Sequence, residues 1–196
     1  MKKILLTLIL SIISIFVFSQ HKNIISVYSG FSYQSSYFSS GSYSSSERGF
    51  AIGSNYERML KHNWSIGGVL NYSDLFSKSG NFGFDYYKNY HNILGLSFKA
   101  SKYFGARFFG VISMGIEYQL FFYTNKHYHY QTDSFSYTKR FDYGYPIFAE
   151  LGCGYWIKEN FSVFTSIKLK YDLFNFIDKT YLYYNFNVLI GIKYRF

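Results

Sequence analysis

The chain has 196 residues, of which 24% are aromatic, with a single proline, a single cysteine and a formal net charge of +9. One cysteine excludes an intrachain disulfide, and an aromatic-rich, proline-poor composition favours strands over helices. The 20 Lys and Arg residues are dispersed along a chain of single-domain length, which argues against a nucleic-acid partner.

Residues 1–19 have the composition of a secretory signal peptide. Two lysines precede an uncharged apolar run from 4 to 18, and Ser19 follows that run. A membrane anchor is the alternative, although the run is shorter than the ~20 apolar residues that a spanning helix needs. We therefore predict a signal peptide at 1–19 and a mature exported domain at 20–196.

Apolar and polar residues alternate in eight segments of the mature domain, a period typical of β-strands. The segments are 23–34, 50–58, 64–75, 90–102, 106–123, 143–157, 161–173 and 183–196. One face of each segment is apolar and uncharged through its middle. The other face carries Ser, Gly, Asn and charged residues.

Such alternation fits either a soluble lipocalin-like barrel with an apolar interior or a membrane barrel with an apolar exterior. Three features favour the membrane barrel. The segments reach the ~9–11 residues that a tilted strand needs to cross a bilayer. Aromatic residues gather near both ends of the apolar face, as at the two membrane interfaces, and long links alternate with the short links MLKHN, YFG and KEN.

Backbone polar groups inside a bilayer must be paired within the protein, so these strands must close into a ring without a free edge. We therefore predict an all-β fold. It is an eight-stranded antiparallel up-and-down transmembrane β-barrel with an apolar outside and a polar lumen, and we expect it to be a monomer.

The lumen of an eight-stranded barrel is just wide enough for side chains, and charges buried there need partners. The residues predicted to form this polar network are Glu57, His91, Lys99, Arg107, Glu117, Glu150, Lys168, Lys170, Asp172, Lys193 and Arg195. A closed core of neutralised charges is one interpretation of the network. A narrow, gated porin-like ion channel is the other.

Turn geometry predicts two cross-strand neighbours in this network. A three-residue turn at 158–160, with Asn160 in the left-handed conformation, would place Glu150 opposite Lys168. A similar turn at 103–105 would place His91 opposite Glu117.

The chain ends in NFNVLIGIKYRF, in which alternate residues are apolar and the last is aromatic. Together with the signal peptide and the eight strands, this ending resembles the small outer-membrane β-barrel family of the OmpA/OmpX type. The resemblance implies a place among the lipids of the bacterial outer membrane. It also implies that Tyr194 and Phe196 are recognised by the barrel-assembly machinery, but it implies no activity.

Three sets of residues are candidates for chemistry. His127 and His129 could share a transition metal, but two histidines without a fixed third ligand make a weak site, and we predict no cofactor. Some eight-stranded outer-membrane barrels modify lipids through Ser, His and an acid. In this sequence the alternation places Ser73 and His91 on the inward face. It places Cys153 on the outward face, where the cysteine would act as a small apolar side chain in contact with lipid.

These features predict a non-catalytic outer-membrane barrel with a structural or surface-interaction role through its outer loops. The Ser- and Tyr-rich first loop suits an extracellular ligand, because tyrosine combines a large rigid contact surface with a polar tip. The alternative for this loop is that it is only solvated and binds no ligand. The alternative function for the whole chain is that of a lipid-modifying enzyme.

Overall fold

The computed structural model describes residues 23–38, 44–80, 86–129, 134–172 and 181–196, so the predicted signal peptide at 1–19 lies outside the described residues. The strands of these ranges are β1 (Asn23–Phe38), β2 (Ser44–Met59), β3 (Trp64–Gly80), β4 (Tyr86–Gly105), β5 (Phe108–His129), β6 (Ser134–Gly144), β7 (Pro146–Lys158), β8 (Phe161–Asp172) and β9 (Tyr181–Arg195). A 3-10 turn at Lys61–Asn63 joins β2 to β3. No helix among these residues has the length and apolar character to cross a membrane.

The strands form one closed antiparallel sheet. The ring runs through β1, β2, β3, β4, β5, β7, β8 and β9, and β9 pairs back onto β1. Two backbone hydrogen bonds between Asn23 and Phe196, of 2.8 and 2.9 Å, join the ends of the first and last strands. We call this end of the barrel the terminal end and the opposite one the loop end.

Strands β6 and β7 form a single strand of the barrel. Gly144 of β6 and Ile147 of β7 lie opposite Gln119 and Ile116 of β5 in one continuous register. The break between them is Tyr145, and β7 then begins with Pro146, the chain's one proline, which has no N–H to give to a ladder. The predicted eight-stranded antiparallel barrel is therefore confirmed.

The two faces of the wall are as different as the alternation predicts. Met114 on the outward face is 66% exposed, whereas Glu57 and Glu117 on the inward face are 0% and 1% exposed. A soluble barrel would bury the apolar face instead. The prediction of an apolar outside around a polar interior is confirmed.

The strands extend further at the loop end than the alternation predicts. β1 runs to Phe38 rather than 34, β2 begins at Ser44 rather than 50, and β5 continues to His129. Here the backbone ladder continues although apolar and polar side chains no longer alternate. Within the long links predicted at 35–49 and 124–142, the described residues 35–38, 44–49, 124–129 and 134–142 are therefore strand.

The predicted β7–β8 turn is wrong in detail but right in register. Residues 159 and 160 form the turn, and Asn160 does not have a positive φ angle. The turn is one residue shorter than predicted. A bulge leaves Ile157 unpaired, and this one extra residue on β7 restores the predicted register. Glu150 therefore lies opposite Lys168, as predicted.

The predicted β4–β5 turn is wrong. β4 continues through 103–105 to Gly105, whose φ of 86° is left-handed, and the chain reverses over 106 and 107. His91 consequently lies opposite Tyr123 rather than opposite Glu117.

Candidate functional site

The barrel lumen is the candidate functional site. Eight of the eleven residues predicted for the polar network point into it with little or no exposure: Glu57, Lys99, Glu117, Glu150, Lys168, Lys170, Asp172 and Lys193. Their four ammonium groups match their four carboxylates in number. His91 is partly buried at the loop end and Arg195 is half-buried at the terminal end. Arg107 is exposed on the turn, because β5 begins only at Phe108.

Glu57 is the centre of the cluster nearer the terminal end. The Tyr103 hydroxyl lies 3.1 and 3.0 Å from its two oxygens and donates to them. Asn55 Nδ2 donates at 2.8 Å, and the Ser65 hydroxyl donates to the second oxygen. A carboxylate that accepts several hydrogen bonds keeps its charge in a buried place.

Two lysines balance that carboxylate. Lys99 Nζ lies 3.1 Å from Glu57 and 3.8 Å from Glu150, so it links two acids. Lys193 Nζ lies 3.9 Å from Glu57 and donates to the Tyr103 hydroxyl at 2.9 Å. The cluster is therefore a network rather than a set of isolated pairs.

Glu117 is the centre of a second cluster, closer to the loop end. Lys168 Nζ and Lys170 Nζ donate to its two oxygens at 2.8 and 2.6 Å. Ser97 Oγ and Gln119 Nε2 add hydrogen bonds of 2.8 and 2.6 Å. Charge-assisted bonds of this length are the strong ones in proteins. Lys168 thus bonds Glu117 across the lumen, although its strand neighbour is Glu150.

Apolar rings occupy the lumen beside the charges, a feature that the alternation did not reveal. Phe109, Trp156 and Phe164 are buried together at the terminal end. The Lys193 ammonium lies 4.6 Å from the centroid of the Phe164 ring. A cation over an aromatic face is attracted to it, so these rings stabilise the buried charges as well as filling space.

Glycines on the wall make room for these rings. A methyl group added at Gly154 would fall 2.5 Å from Cζ of Phe109, and one added at Gly191 would fall 2.8 Å from Cε1 of Phe164. Both distances are far below van der Waals contact. The rings therefore sit in depressions that only glycine leaves.

A smaller polar group lies at the loop end. His91 Nδ1 contacts a carboxylate oxygen of Glu47, and the His91 ring meets the Tyr123 ring edge-on at 4.1 Å between centroids. Glu47 is buried, yet the sequence placed it in a loop, because SSSERG lacks the alternation of a strand. Glu47 lies an even number of residues before Asn55 and Glu57 on β2, so its side chain points to the same inward face. That spacing is the sequence signal that could have identified it.

The structure positions most of the candidate metal-binding and catalytic residues. His127 is part of β5, and the side chain of His129 lies outside the described residues. Across the described ranges, no three His, Cys, Asp or Glu residues are placed to hold a metal ion. Ser73 is buried opposite Ile93, while Cys153 is exposed on the outward face.

Comparison with solved structures identifies the fold. Over 91% of this chain and 100% of the other, the structure superposes on Ail, the attachment invasion locus protein of Yersinia pestis, with a TM-score of 0.51 at 11% identity. The chain has the fold of a small outer-membrane β-barrel. No protein-family model matches it, and no curated protein sequence does.

Two further small outer-membrane barrels are similar to it. Neisserial surface protein A gives a TM-score of 0.49 at 11% identity, over 88% of this chain and 97% of that one. OprG from Pseudomonas aeruginosa gives 0.49 at 13% identity, over 89% and 96%.

The last strand of this outer-membrane-type barrel ends in an exposed pair of rings. Tyr194 and Phe196 both point outward and stack with their centroids 6.3 Å apart. They lie at the terminal end, where Phe196 bonds the backbone of Asn23.

Proposed function

We propose that this chain is a bacterial outer-membrane protein with a closed, charge-neutral lumen, which acts structurally or through surfaces at its loop end and carries out no catalysis. The observation that carries this proposal is the lumen itself. Four buried lysines face the carboxylates of Glu57, Glu117, Glu150 and Asp172 there, Glu47 contacts His91, and buried aromatic rings fill the terminal half. An interior of this width that is filled with crosslinked side chains leaves little room for ions.

The closed lumen predicts the result of an electrical measurement. In planar bilayers, the purified barrel should show no resolved ohmic open state, because ions would have to displace the Glu57 and Glu117 clusters. A general porin reconstituted in parallel serves as the positive control. The competing function is the narrow gated channel, which the chain of charged groups along the lumen favours. A reproducible open state with linear current against voltage would support that channel and overturn the closed barrel.

Location and assembly form the second part of the proposal. We propose that 1–19 is a cleaved signal peptide, that 20–196 enters the outer membrane as a monomer surrounded by its lipids, and that Tyr194 and Phe196 are read by the barrel-assembly machinery. The fold, the apolar outward face and the two exposed rings support it. Fractionated cells should contain the protein, without 1–19, in the outer membrane.

The variant Phe196→Ser tests the assembly signal. Its amount in the outer membrane should fall several-fold, because the ring that would be recognised is gone. Phe104→Ser is the matched control, since Phe104 is also exposed at the terminal end but lies on β4. Equal losses in both variants would mean that Phe196 contributes only as an aromatic residue at the membrane interface and is not an assembly signal.

Surface interaction at the loop end is the third part. Phe135, Tyr137, Phe141 and Tyr143 of β6 are all exposed, and such a set of rings offers rigid contact area at low entropic cost. Replacing 124–139 by Asn-Gly should leave the barrel folded, since Tyr123 and Arg140 face each other in the ladder. Cells displaying the shortened protein should adhere less to one another or to glycan-coated surfaces. Unchanged adhesion would leave only the structural role.

A further inference from the structure

An open cavity of about 620 Å³ lies at the terminal end, and none of its lining residues belongs to the Glu57 or Glu117 cluster. Arg107, Lys158, Arg195, Trp156 and Glu159 are among its lining residues. The volume falls within the range of natural small-ligand sites. Three cations and one carboxylate give the lining a formal charge of +3 − 1 = +2.

Backbone contacts bring these residues together from three parts of the chain. The Arg107 carbonyl accepts a hydrogen bond of 2.8 Å from the Trp156 N–H, which places the β4–β5 turn against β7. The Arg195 N–H donates to the Asn160 carbonyl at 2.8 Å, which places the end of β9 against the β7–β8 turn. The convergence is therefore built by the barrel wall.

One guanidinium is held in a fixed plane. Arg195 Cζ lies 3.9 Å from the centroid of the Trp156 ring, and stacking on an aromatic face fixes the orientation of a guanidinium. In the described part of the chain, no carboxylate lies within ion-pair distance of Arg107, Lys158 or Arg195. Their charge is therefore available to a ligand.

We propose that this cavity binds a phosphate group, carried either by a phospholipid headgroup or by a small soluble phosphate ester. Guanidinium groups match phosphate oxygens with paired N–H donors, and the lysine adds a point charge. A phosphate with up to two negative charges complements the +2 lining. Because the cavity is open to water, the affinity should fall as salt concentration rises.

Trp156 provides a direct reporter of binding. The chain has two tryptophans, and Trp64→Phe leaves Trp156 alone while keeping an aromatic ring in the outward face. Emission of this protein is titrated in zwitterionic detergent with inorganic phosphate and with glycerol 3-phosphate, at constant ionic strength. For the lipid source, emission is compared in nanodiscs of phosphatidylcholine with and without phosphatidylglycerol.

Two triple variants with the same change in net charge test specificity. Arg107→Gln/Lys158→Gln/Arg195→Gln should weaken the response at least tenfold. Lys61→Gln/Lys78→Gln/Lys139→Gln should preserve it, since those three lysines are exposed and none of them lines the cavity. Heat-dependent gel migration verifies that each variant is a folded barrel.

The outcomes distinguish the two sources. A saturable response to soluble phosphates supports a small phosphate ligand, and a response only to phosphatidylglycerol supports a lipid headgroup. No response from any probe overturns the proposal. An equal loss in both triple variants overturns it too, because it would reflect net charge alone.

Discussion

Glu117→Gln should cost the barrel about 3–5 kcal/mol of unfolding free energy, the usual result of removing one partner from a buried ion cluster. Lys168 and Lys170 would keep their ammonium groups in the lumen but lose the carboxylate that now lies 2.8 and 2.6 Å away. Urea unfolding in lipid vesicles, followed by tryptophan emission, measures the change. The exposed Glu159→Gln removes the same charge outside the lumen and should leave the urea midpoint unchanged.

A companion variant separates loss of charge pairing from simple loss of a side chain. Replacing Glu117, Lys168 and Lys170 together by Met removes all three charges at similar volume, and stability should return close to that of the original protein. If the single variant is as stable as the parent, the Glu117 cluster is not a buried network.

Met114→Arg should destabilise the barrel by about 2–4 kcal/mol, the cost of an arginine near the bilayer midplane on the lipid side of a barrel. Met114 is 66% exposed, so the same change on a soluble protein would have little effect. Its cross-strand neighbours Ala100 and Ala149 are small and leave space for the longer side chain. A cost of that size would therefore indicate surrounding lipid rather than steric conflict.

Phe135→Arg is the matched control for that experiment. Phe135 is also exposed on an outward-pointing position, at 53%, but it lies on β6 towards the loop end. Urea unfolding of both variants in the same vesicles should show a large cost only for Met114→Arg. Equal and small effects would mean that water, not lipid, surrounds the apolar face.

The strands and their facing were predictable because both depend on local parity. Successive side chains point to opposite sides of a strand, so Met114 and Glu117 had to lie on opposite faces wherever the barrel closed. The position of Glu150 opposite Lys168 followed from a hairpin, which is also local. That prediction succeeded partly because the bulge at Ile157 compensated for a shorter turn.

The partners within the lumen could not be predicted in the same way. Lys168 and Glu117 lie on β8 and β5, which are not neighbours, and 51 residues separate them. Lys193 and Glu57 lie on β9 and β2, with β1 between them. Such contacts depend on the stagger with which the whole ring closes, and no single turn determines that stagger.

The depressions at Gly154 and Gly191 bear on how the interior of this barrel could change. Phe109 rests on Gly154 and Phe164 on Gly191, so cutting both rings back to alanine would leave two hollows over bare backbone in the terminal half, beside the Glu57 cluster. The hydrogen-bonded wall would be untouched by that change. The filling of the bore can therefore change through interior side chains alone, and a wider lumen would require the loss of the polar clusters as well as the rings but no new architecture.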